Sequence, residues 1–424
     1  MKDLFKWNPY ADQPHNIAPK KERFRFHLKH SGSYISLVLS NISKAFPVLA
    51  RYRRIRRSLY TEPVYLEDPF GIAVSPGKID ASKIVSSLEE MNIEKILIRI
   101  PSWEKDKLDL YKKFIAEVRD QKREILIALL QNREDVKDPE NWRLFLERVF
   151  DEFRDSCGVF EIGHAWNRTK WGVWDYKEYL DLAYHALELA EKFGVKIAGP
   201  AVIDFEFHLY PVILKEIPFD VVSSLLYVDR VGAPENTQFG WDTAKKTALL
   251  RAVIDGSGQE RKNLWITEVN WPLEGTGKYS PASGTPNVPE SLQRDYLVRY
   301  YILVLAGGLV KRVYWWQLAA PGYGLIDDRD NKWRKRPAYY AMRFLVSQLR
   351  HSECLGRIQN NKAEIFSFRR NNKEFVVCWT NHKPHELTFH QEVEKILNVT
   401  GEEIKSAGDG AVYIDGSPRY VYFK

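Results

Sequence analysis

Ionisable side chains stand near the ends of several short apolar runs in this 424-residue chain. One run carries Glu268, and two others carry Arg99 and Tyr227. A guanidinium beside a carboxylate stabilises the ionised form, and a phenol hydroxyl can orient it. If the fold brings these three side chains together, Glu268 can act as a nucleophile or stabilise a developing positive charge. The alternative is an ion pair that performs no chemistry.

The elements that would position these side chains follow a regular rhythm from Asp68 onwards. Eight short apolar runs alternate with longer amphipathic stretches, of which Tyr176–Phe193 has apolar residues at helical spacing. The runs are residues 70–74, 95–100, 124–130, 158–163, 195–200, 219–227, 264–270 and 312–318. This alternation predicts an α/β fold, a (β/α)₈ barrel over residues 61–349. A doubly wound sheet is the alternative, but it rarely has eight units, and no GxGxxG motif follows a predicted strand.

The regions on either side of the barrel have different patterns. Residues 350–424 contain short apolar runs with polar turns, which predict a small antiparallel, sandwich-like β domain that strands near the barrel's start complete. Residues 1–60 form a basic, partly helical N-terminal arm with 13 Lys or Arg and 3 Asp or Glu. The arm therefore has a net charge of +10, and the rest of the chain has a net charge of −3. Because the positive charge is confined to the arm, we do not expect nucleic-acid binding.

Segment 34–59 joins an apolar stretch to a run of five arginines. As a helix, its first half would suit an apolar surface and its second half anionic headgroups, so peripheral contact with an anionic membrane is one hypothesis. The alternative is a helix packed on the barrel with a solvated basic end. Pro47 is expected to interrupt any single long helix. No run of 18 uninterrupted apolar residues occurs, so a transmembrane helix is not expected.

The first residues of the chain have no apolar core typical of a secretory signal. Together with the basic arm, this favours a cytoplasmic location, with contact at the inner membrane surface. The three cysteines have no metal-ligand spacing, and we see no sign of a required metal or organic cofactor. The sequence does not predict an oligomeric state.

In a parallel barrel of this kind, the active site is built from residues at the C-terminal ends of the strands. Reading the end of each predicted strand gives a set of candidates. They are Arg99 and Trp103 (strand two), Gln131 and Asn132 (three), His164, Trp166, Asn167 and Arg168 (four), Asp204, Glu206 and His208 (five), Tyr227 (six), Glu268 (seven), and Trp315, Trp316 and Gln317 (eight).

The array resembles clan A glycoside hydrolases, the retaining glycosidases built on a (β/α)₈ barrel. Their nucleophile is a Glu at the end of strand seven, often in a stretch like ITE, and Glu268 matches it. Arg99 in RIPSW matches the arginine that hydrogen-bonds this nucleophile, and Tyr227 matches a tyrosine that contacts it, although the histidine common two residues earlier is Leu225 here. Trp316 matches the strand-eight tryptophan that floors the sugar site. The resemblance covers about residues 68–349 and implies a carbohydrate substrate.

The sequence departs from that family at the end of strand four. The family has an acid/base Glu after Asn there, whereas this chain has His164 and Ala165. A methyl group donates no proton, so three explanations stay open. Another group supplies the acid, with Glu206 and Asp204 first and His164 next; or the substrate has a leaving group that needs little protonation, or a sugar is transferred; or the site binds glycan without turnover. Glu161, four residues deeper on the strand, is interpreted as buried and structural.

The loop that follows combines aromatic, amide and cationic side chains. Residues 166–174 hold three tryptophans, Asn167, Arg168 and Lys170, a combination that suits an acidic or phosphorylated sugar. The alternative is that the tryptophans pack on neighbouring helices. Trp241, Trp271 and Tyr323 are further candidate platforms.

Two hypotheses follow from the whole pattern. The first is a carbohydrate-active enzyme of surface-polysaccharide or lipopolysaccharide metabolism, a hydrolase or transglycosidase with Glu268 as nucleophile. The second is a non-catalytic glycan-binding or assembly protein that kept the barrel and lost the acid.

Overall fold

A closed barrel of eight parallel strands forms the centre of the molecule. The computed structural model describes residues 6–15, 19–76, 80–119, 122–228, 232–280, 287–405 and 410–424. In chain order, barrel strands one to eight are Phe70–Val74, Lys95–Pro101, Glu124–Leu130, Val159–Ile162, Ile197–Ile203, Val221–Leu225, Asn263–Val269 and Arg312–Trp315. Each strand pairs with its neighbours in sequence, and strand eight closes on strand one. The predicted (β/α)₈ barrel is confirmed.

Helices cover the outside of the barrel. They are Ala81–Met91, Leu108–Val118, Arg133–Lys137, Pro139–Phe153, Tyr176–Phe193, Tyr210–Glu216, Thr243–Gly256, Glu290–Leu305 and Pro337–Leu349. Because helices lie outside and side chains fill the interior, the strands are buried on both faces and have continuous apolar sequences, as in Phe70–Val74. The helix predicted from Tyr176 to Phe193 has those bounds, with the Asp175 side chain capping its start and Gly194 ending it in a left-handed conformation.

One glycine illustrates how the barrel interior is filled. Gly71 on strand one faces the ring of Tyr314 on strand eight, and a Cβ at Gly71 would lie 2.4 Å from Tyr314 Cδ1. The missing side chain therefore makes room for a buried tyrosine.

The C-terminal part forms an antiparallel sheet of seven strands. In spatial order they are Glu403–Ile404, Val393–Leu397, Arg419–Phe423, Lys373–Trp379, Glu364–Arg370, Ser352–Arg357 and Val64–Leu66, and a separate pair joins His385–Leu387 to Val412–Ile414. The strand Val64–Leu66 precedes the barrel in sequence, so a strand near the barrel's start completes this sheet, as expected. Arg299 of a barrel helix fixes the sheet to the barrel by donating to the Gly416 carbonyl at 3.0 Å.

The N-terminal region consists of a short strand pair and two helices. The strands are Trp7–Asn8 and Gln13–Pro14, and the helices are Lys20–Lys29 and Ser31–Ser58. The prediction that Pro47 interrupts a long helix was wrong, because Ser31–Ser58 continues through it. Packing compensates for the lost backbone hydrogen bond: Val48, one residue on, lies against Gly256, where a Cβ would come within 2.8 Å of its side chain.

The helix Ser31–Ser58 has two different faces. One face lies on the barrel, where Asn41 Nδ2 donates to the His208 carbonyl at 2.9 Å and Arg51 pairs with Glu260 at 3.2 Å. The other face exposes apolar side chains. By length and composition alone, this is the one helix of the described residues that could cross a membrane. No such helix had been expected from the sequence. Only 11% of its most apolar window is buried.

Candidate active site

Glu268 is held from several directions at the C-terminal end of strand seven. Tyr227, just beyond strand six, donates its hydroxyl to Glu268 Oε1 at 2.5 Å, and Arg99 of strand two pairs with Oε2. Asn270 Nδ2 in turn donates to the Tyr227 hydroxyl at 3.2 Å. The carboxylate is only 7% exposed. The three side chains that the sequence singled out therefore meet, and they fix one buried carboxylate in one orientation.

Arg99 joins the groups around this carboxylate. Its guanidinium stacks on Trp316, with Cζ 3.3 Å from the ring centroid. Its Nη2 donates to His164 Nε2 at 2.9 Å, while Nη1 lies 3.7 Å from Asp12 Oδ2. Because stacking and hydrogen bonding restrict the guanidinium in plane and direction, it is a rigid cationic support for Glu268.

A cavity of about 320 Å³ opens above Glu268 at the mouth of the barrel. This volume lies in the range of small-ligand sites. The residues that line it come from strand ends four to eight, from strand two and from the N-terminal arm: Ala11, Asp12, Gln13, Arg99, His164, Ala165, Arg168, Lys170, Trp171, Ile203, Tyr227, Glu268, Asn270, Pro272, Trp316 and Tyr323. A second cavity of about 370 Å³ adjoins it and shares Asp12, Arg99 and Tyr323.

Ala165 lines the cavity where strand four ends. Its backbone has a left-handed φ of 43°, and its amide donates to the Ala201 carbonyl at 3.1 Å. The methyl group is buried and presents no polar atom. The site therefore has a fully supported carboxylate at the end of strand seven and an apolar surface at the end of strand four.

Several solved structures that this chain resembles are glycoside hydrolases. A family 39 glycoside hydrolase from Bacteroides cellulosilyticus WH2 matches with a TM-score of 0.67 at 14% identity, over 84% of this chain and 81% of its own. A family 30 subfamily 8 xylanase from Clostridium acetobutylicum matches with a TM-score of 0.56 at 12% identity, over 86% and 98% of the two chains. A family 51 arabinofuranosidase from Xanthomonas axonopodis pv. citri matches with a TM-score of 0.53 at 12% identity, over 86% of this chain and 98% of its own.

The chain has the fold of clan A glycoside hydrolases. The resemblance seen in the sequence is thereby confirmed for the fold. No protein-family model matches the chain. No curated protein is similar to it in sequence.

His164 lines the cavity but is poorly suited to donate a proton. Its ring is buried, its amide donates to Gln131 Oε1 at 2.9 Å, and its Nε2 accepts from Arg99. Burial, followed by the charges of Arg99 and Lys170, holds the pKa of His164 well below 6.5. The imidazole is therefore neutral at neutral pH, with no proton on the nitrogen that faces Glu268.

Glu206 lies outside the residues that line the cavity, which disfavours it as the acid. It pairs with Arg168 and accepts from Asn167 Nδ2 at 3.0 Å. Arg168 does line the cavity, but it also donates to Asp204 Oδ2 at 2.6 Å, so two carboxylates balance its charge. The loop was expected to offer positive charge to an acidic sugar. Arg168 is less available for that role, because Asp204 and Glu206 bind it.

The predicted aromatic platforms divide into cavity residues and core residues. Trp316 and Tyr323 line the first cavity, whereas Trp103 and Gln317 line the second. Trp166 was predicted as a platform, but its ring is buried, stacks on Tyr179 at 4.5 Å and donates to the Pro200 carbonyl at 2.7 Å. This is a packing role, because no face of the indole is left for a ligand.

Two further tryptophans also pack against protein. Trp271 is buried and lies 6.1 Å from Trp315 between ring centroids, and Trp241 lies 5.0 Å from the ring of Tyr52. Neither lines the first two cavities. The general aromatic richness therefore overestimated the number of sugar platforms.

Glu161 lies beneath the site and agrees with its structural interpretation. It is fully buried and accepts from Thr267 Oγ1 at 2.6 Å. Burial raises the pKa of Glu161 to about 7. Burial therefore favours the protonated form of this carboxyl, and the residue does not line the cavity.

The candidates read from the strand ends missed the N-terminal arm, which reaches the site. Ala11, Asp12 and Gln13 line the cavity, and Lys170 Nζ donates to Gln13 Oε1 at 2.5 Å. The arm is about 250 residues from Glu268 in sequence and matches no barrel motif. One weak signal was present, since a hydrophilic segment with two aromatic residues, Trp7 and Tyr10, precedes the helices.

Proposed function

We propose that the chain is a carbohydrate-active enzyme that acts on a glycan or glycoconjugate through Glu268 as nucleophile. The observation that carries this proposal is the buried Glu268 carboxylate, fixed by Tyr227 and Arg99 on the floor of a ligand-sized cavity. The clan A fold supports a carbohydrate as the substrate class. A carboxylate needs no base to become a nucleophile, so hydrogen bonds that hold it ionised and oriented are sufficient.

The proposed reaction begins with attack of a Glu268 oxygen on the anomeric carbon as the bond to the leaving oxygen breaks. Tyr227 and Arg99 keep the attacking oxygen in place and restrict its motion. The resulting glycosyl ester passes the sugar to water or to a sugar hydroxyl. Arg99 covers one face of Trp316, and the indole is only 3% exposed, so a sugar ring would meet only the small part of it that lines the cavity.

Aryl glycosides whose leaving groups need no protonation test the proposal. A panel of sugars in both anomeric forms should include one that the wild-type protein cleaves with release of the phenol. Glu268→Gln should abolish that release, whereas the exposed Glu386→Gln serves as a matched control with unchanged activity. Equal rates for wild type and Glu268→Gln would contradict the role of Glu268.

The second candidate is a glycan-binding protein without turnover, and Ala165 is the observation that favours it. General acid catalysis contributes typically 10²–10⁴-fold, so a site without an acid retains binding and loses most hydrolysis of ordinary glycosides. Calorimetric binding of oligosaccharides, lost in Trp316→Ala and unaccompanied by cleavage of any activated glycoside, would support this candidate over the enzyme.

We also propose that the N-terminal helix docks the protein on an anionic membrane surface. One face of Ser31–Ser58 exposes a row of apolar side chains, here named the apolar stripe. The apolar stripe comprises Ile35, Val38, Leu39, Ile42, Phe46 and Leu49. Their spacing places them on one side of the helix, opposite the face with Leu37 and Val48 that packs on the barrel.

Charge complementarity favours a membrane as the occupant of the apolar stripe. The same helix continues into Arg53, Arg54 and Arg57, which are all exposed. A folded helix with an apolar face followed by a basic end matches the boundary between acyl chains and anionic headgroups, where each basic residue contributes about 1 kcal/mol.

Vesicle co-sedimentation tests this docking. The protein should bind vesicles that contain anionic lipid and bind zwitterionic vesicles weakly. Arg53→Ala with Arg54→Ala should weaken anionic binding by about thirtyfold, which corresponds to about 2 kcal/mol. Phe46→Gln should also weaken it, and Ile358→Gln, an exposed apolar residue outside the helix, is the control. Equal binding by all variants would reject the docking surface.

A further inference from the structure

We propose that Asp12, carried by the N-terminal arm, is the second carboxyl group of the active site and acts as its acid/base. This inference rests on the proposed function of Glu268. The cavity above Glu268 is lined by two acidic residues among those described, and they are Glu268 and Asp12. Ala165 lines the same cavity and leaves it without a carboxyl from strand four.

The contacts of Asp12 place it beside the nucleophile. Its Oδ2 lies 3.7 Å from Nη1 of Arg99, and Glu268 binds Nη2 of the same guanidinium. One guanidinium therefore separates the two carboxyl groups. The Asp12 side chain is 22% exposed, whereas the Glu268 side chain is 9% exposed. The more open carboxyl suits exchange of protons with water, and the enclosed one suits covalent attack.

The arm is fixed at several points, so Asp12 is presented in a defined position. Trp7 lies 5.2 Å from Trp103 between ring centroids, and Tyr10 lies 5.5 Å from Tyr279. The strands Trp7–Asn8 and Gln13–Pro14 pair across the turn.

Side-chain hydrogen bonds also fix the turn itself. Asn8 Oδ1 accepts from the Tyr10 amide at 3.0 Å, and Gln13 is bound by Lys170. Asp12 has a left-handed φ of 51°, a conformation that aspartate tolerates better than most residues.

The other candidates for the acid are less well placed. Glu206 is bound by Arg168 and Asn167 and does not line the cavity, and His164 is neutral with its Nε2 accepting from Arg99. Asp204, which is bound by Arg168, does not line the cavity either. Asp12 is therefore the carboxyl at the cavity that has both access and proximity to Glu268.

The proposed steps balance in protons and bonds. In the first step Glu268 forms a bond to the anomeric carbon, the bond to the leaving oxygen breaks, and the Asp12 proton passes to that oxygen. In the second step the Asp12 carboxylate takes a proton from water, whose oxygen attacks the anomeric carbon and releases Glu268. Asp12 is then protonated again, and no oxidant, reductant or metal is needed.

The test compares Asp12→Ala with wild type on two aryl glycosides of one sugar, one with a good leaving group and one with a poor leaving group. The loss in kcat/KM should be about 10²–10⁴-fold for the poor leaving group and less than about tenfold for the good one. Azide needs no base, so it should restore turnover of the good substrate in Asp12→Ala as a glycosyl azide of retained configuration. Glu22→Gln, an exposed charge removal in the same region, should behave as wild type.

The possible outcomes separate this inference from the proposed function. Equal losses for both leaving groups without an azide effect would assign Asp12 a structural role. Higher activity in Asp12→Ala would make the arm an inhibitory plug. Either result overturns the inference and leaves Glu268 as nucleophile. A wild-type protein that cleaves no glycoside of the panel overturns both. Asp12→Asn, which tolerates the same left-handed backbone, should unfold at the wild-type midpoint and repeat the kinetic pattern of Asp12→Ala, which excludes loss of the fold.

Discussion

The ends of strands seven and four face the same cavity, but they present different side chains to it. At strand seven, Glu268 has a hydroxyl donor, a guanidinium and a neutral imidazole around it. At strand four, Ala165 presents a methyl group, and the carboxylate of that strand, Glu161, is buried below the cavity. The strand-seven carboxylate that the sequence resemblance predicted is therefore fully supported, and no carboxylate lines the cavity at the end of strand four.

This difference shows that the contacts around a candidate carboxylate are more informative than its residue type alone. Glu161, Glu206 and Glu268 are all glutamates near strand ends, but their surroundings separate them. Glu161 is enclosed, and burial raises its pKa; Glu206 is bound by Arg168; and Glu268 lines a cavity while Tyr227 and Arg99 bind it. The comparison makes four predictions, in order of decreasing effect.

Replacement of the strand-seven carboxylate should have the largest effect. Glu268→Gln keeps the shape of the side chain but removes the nucleophile, so kcat/KM for an activated aryl glycoside should fall by about 10⁴-fold or more. Steady-state release of the phenol measures it. A fall of less than about tenfold would mean that Glu268 only positions the substrate.

Replacement of the buried carboxyl of strand four should change stability against pH. Because the pKa of Glu161 is raised to about 7 in the folded state, the fold binds its proton more tightly than the unfolded chain does. Its stabilising contribution is present below about pH 4.5 and is lost as the pH rises through 7.

Glu161→Gln should remove this dependence. Denaturant titrations measure this at pH 5 and pH 8. Between these pH values, the free energy of unfolding of wild type should fall by up to about 3 kcal/mol more than that of the variant. If the free energies of unfolding of the two proteins changed equally with pH, Glu161 would be ionised in the folded barrel, and the prediction would fail.

Loss of the hydroxyl that orients Glu268 should have an intermediate effect. Tyr227→Phe removes one charge-assisted hydrogen bond, so kcat/KM should fall by about ten- to hundredfold. The covalent intermediate should still form, only more slowly, which rapid-mixing kinetics measures. A loss as large as that of Glu268→Gln would make Tyr227 itself a reacting group.

Removal of the carboxylate outside the cavity should have the smallest effect. Glu206→Gln releases one partner of Arg168, which keeps Asp204, so kcat/KM should change by less than about tenfold. The ratio of rates for good and poor leaving groups should stay the same. A ratio that shifts by a hundredfold would make Glu206 the acid and exclude Asp12.

Much of the fold followed from local pattern. The helix Tyr176–Phe193 and the strands Phe70–Val74 and Glu124–Leu130 have the expected bounds, because buried parallel strands are short continuous apolar runs. Strand eight was expected to reach residue 318 but ends at Trp315, although the Trp316 and Leu318 amides still donate to the Val269 and Ala73 carbonyls of the neighbouring strands. The continuous helix through Pro47 was missed because its packing against Gly256 is tertiary.

The site was predicted only where it depends on strand ends. Arg99, Tyr227 and Glu268 follow strands whose order fixes their positions, so the sequence was sufficient to bring them together. The partners of Glu206 and the stacking of Trp166 depend on side-chain geometry across loops. Asp12 reaches the cavity through long-range contacts of the arm, which no periodicity encodes.

The most direct test of Glu268 as nucleophile is covalent trapping. An activated 2-deoxy-2-fluoro glycoside of the sugar that the protein cleaves should form an intermediate that breaks down slowly. Mass spectrometry of the digested protein should place one glycosyl group on the peptide that contains Glu268, and none should appear in Glu268→Gln. An adduct on a different carboxylate, or turnover with inverted configuration and no adduct, would contradict the account.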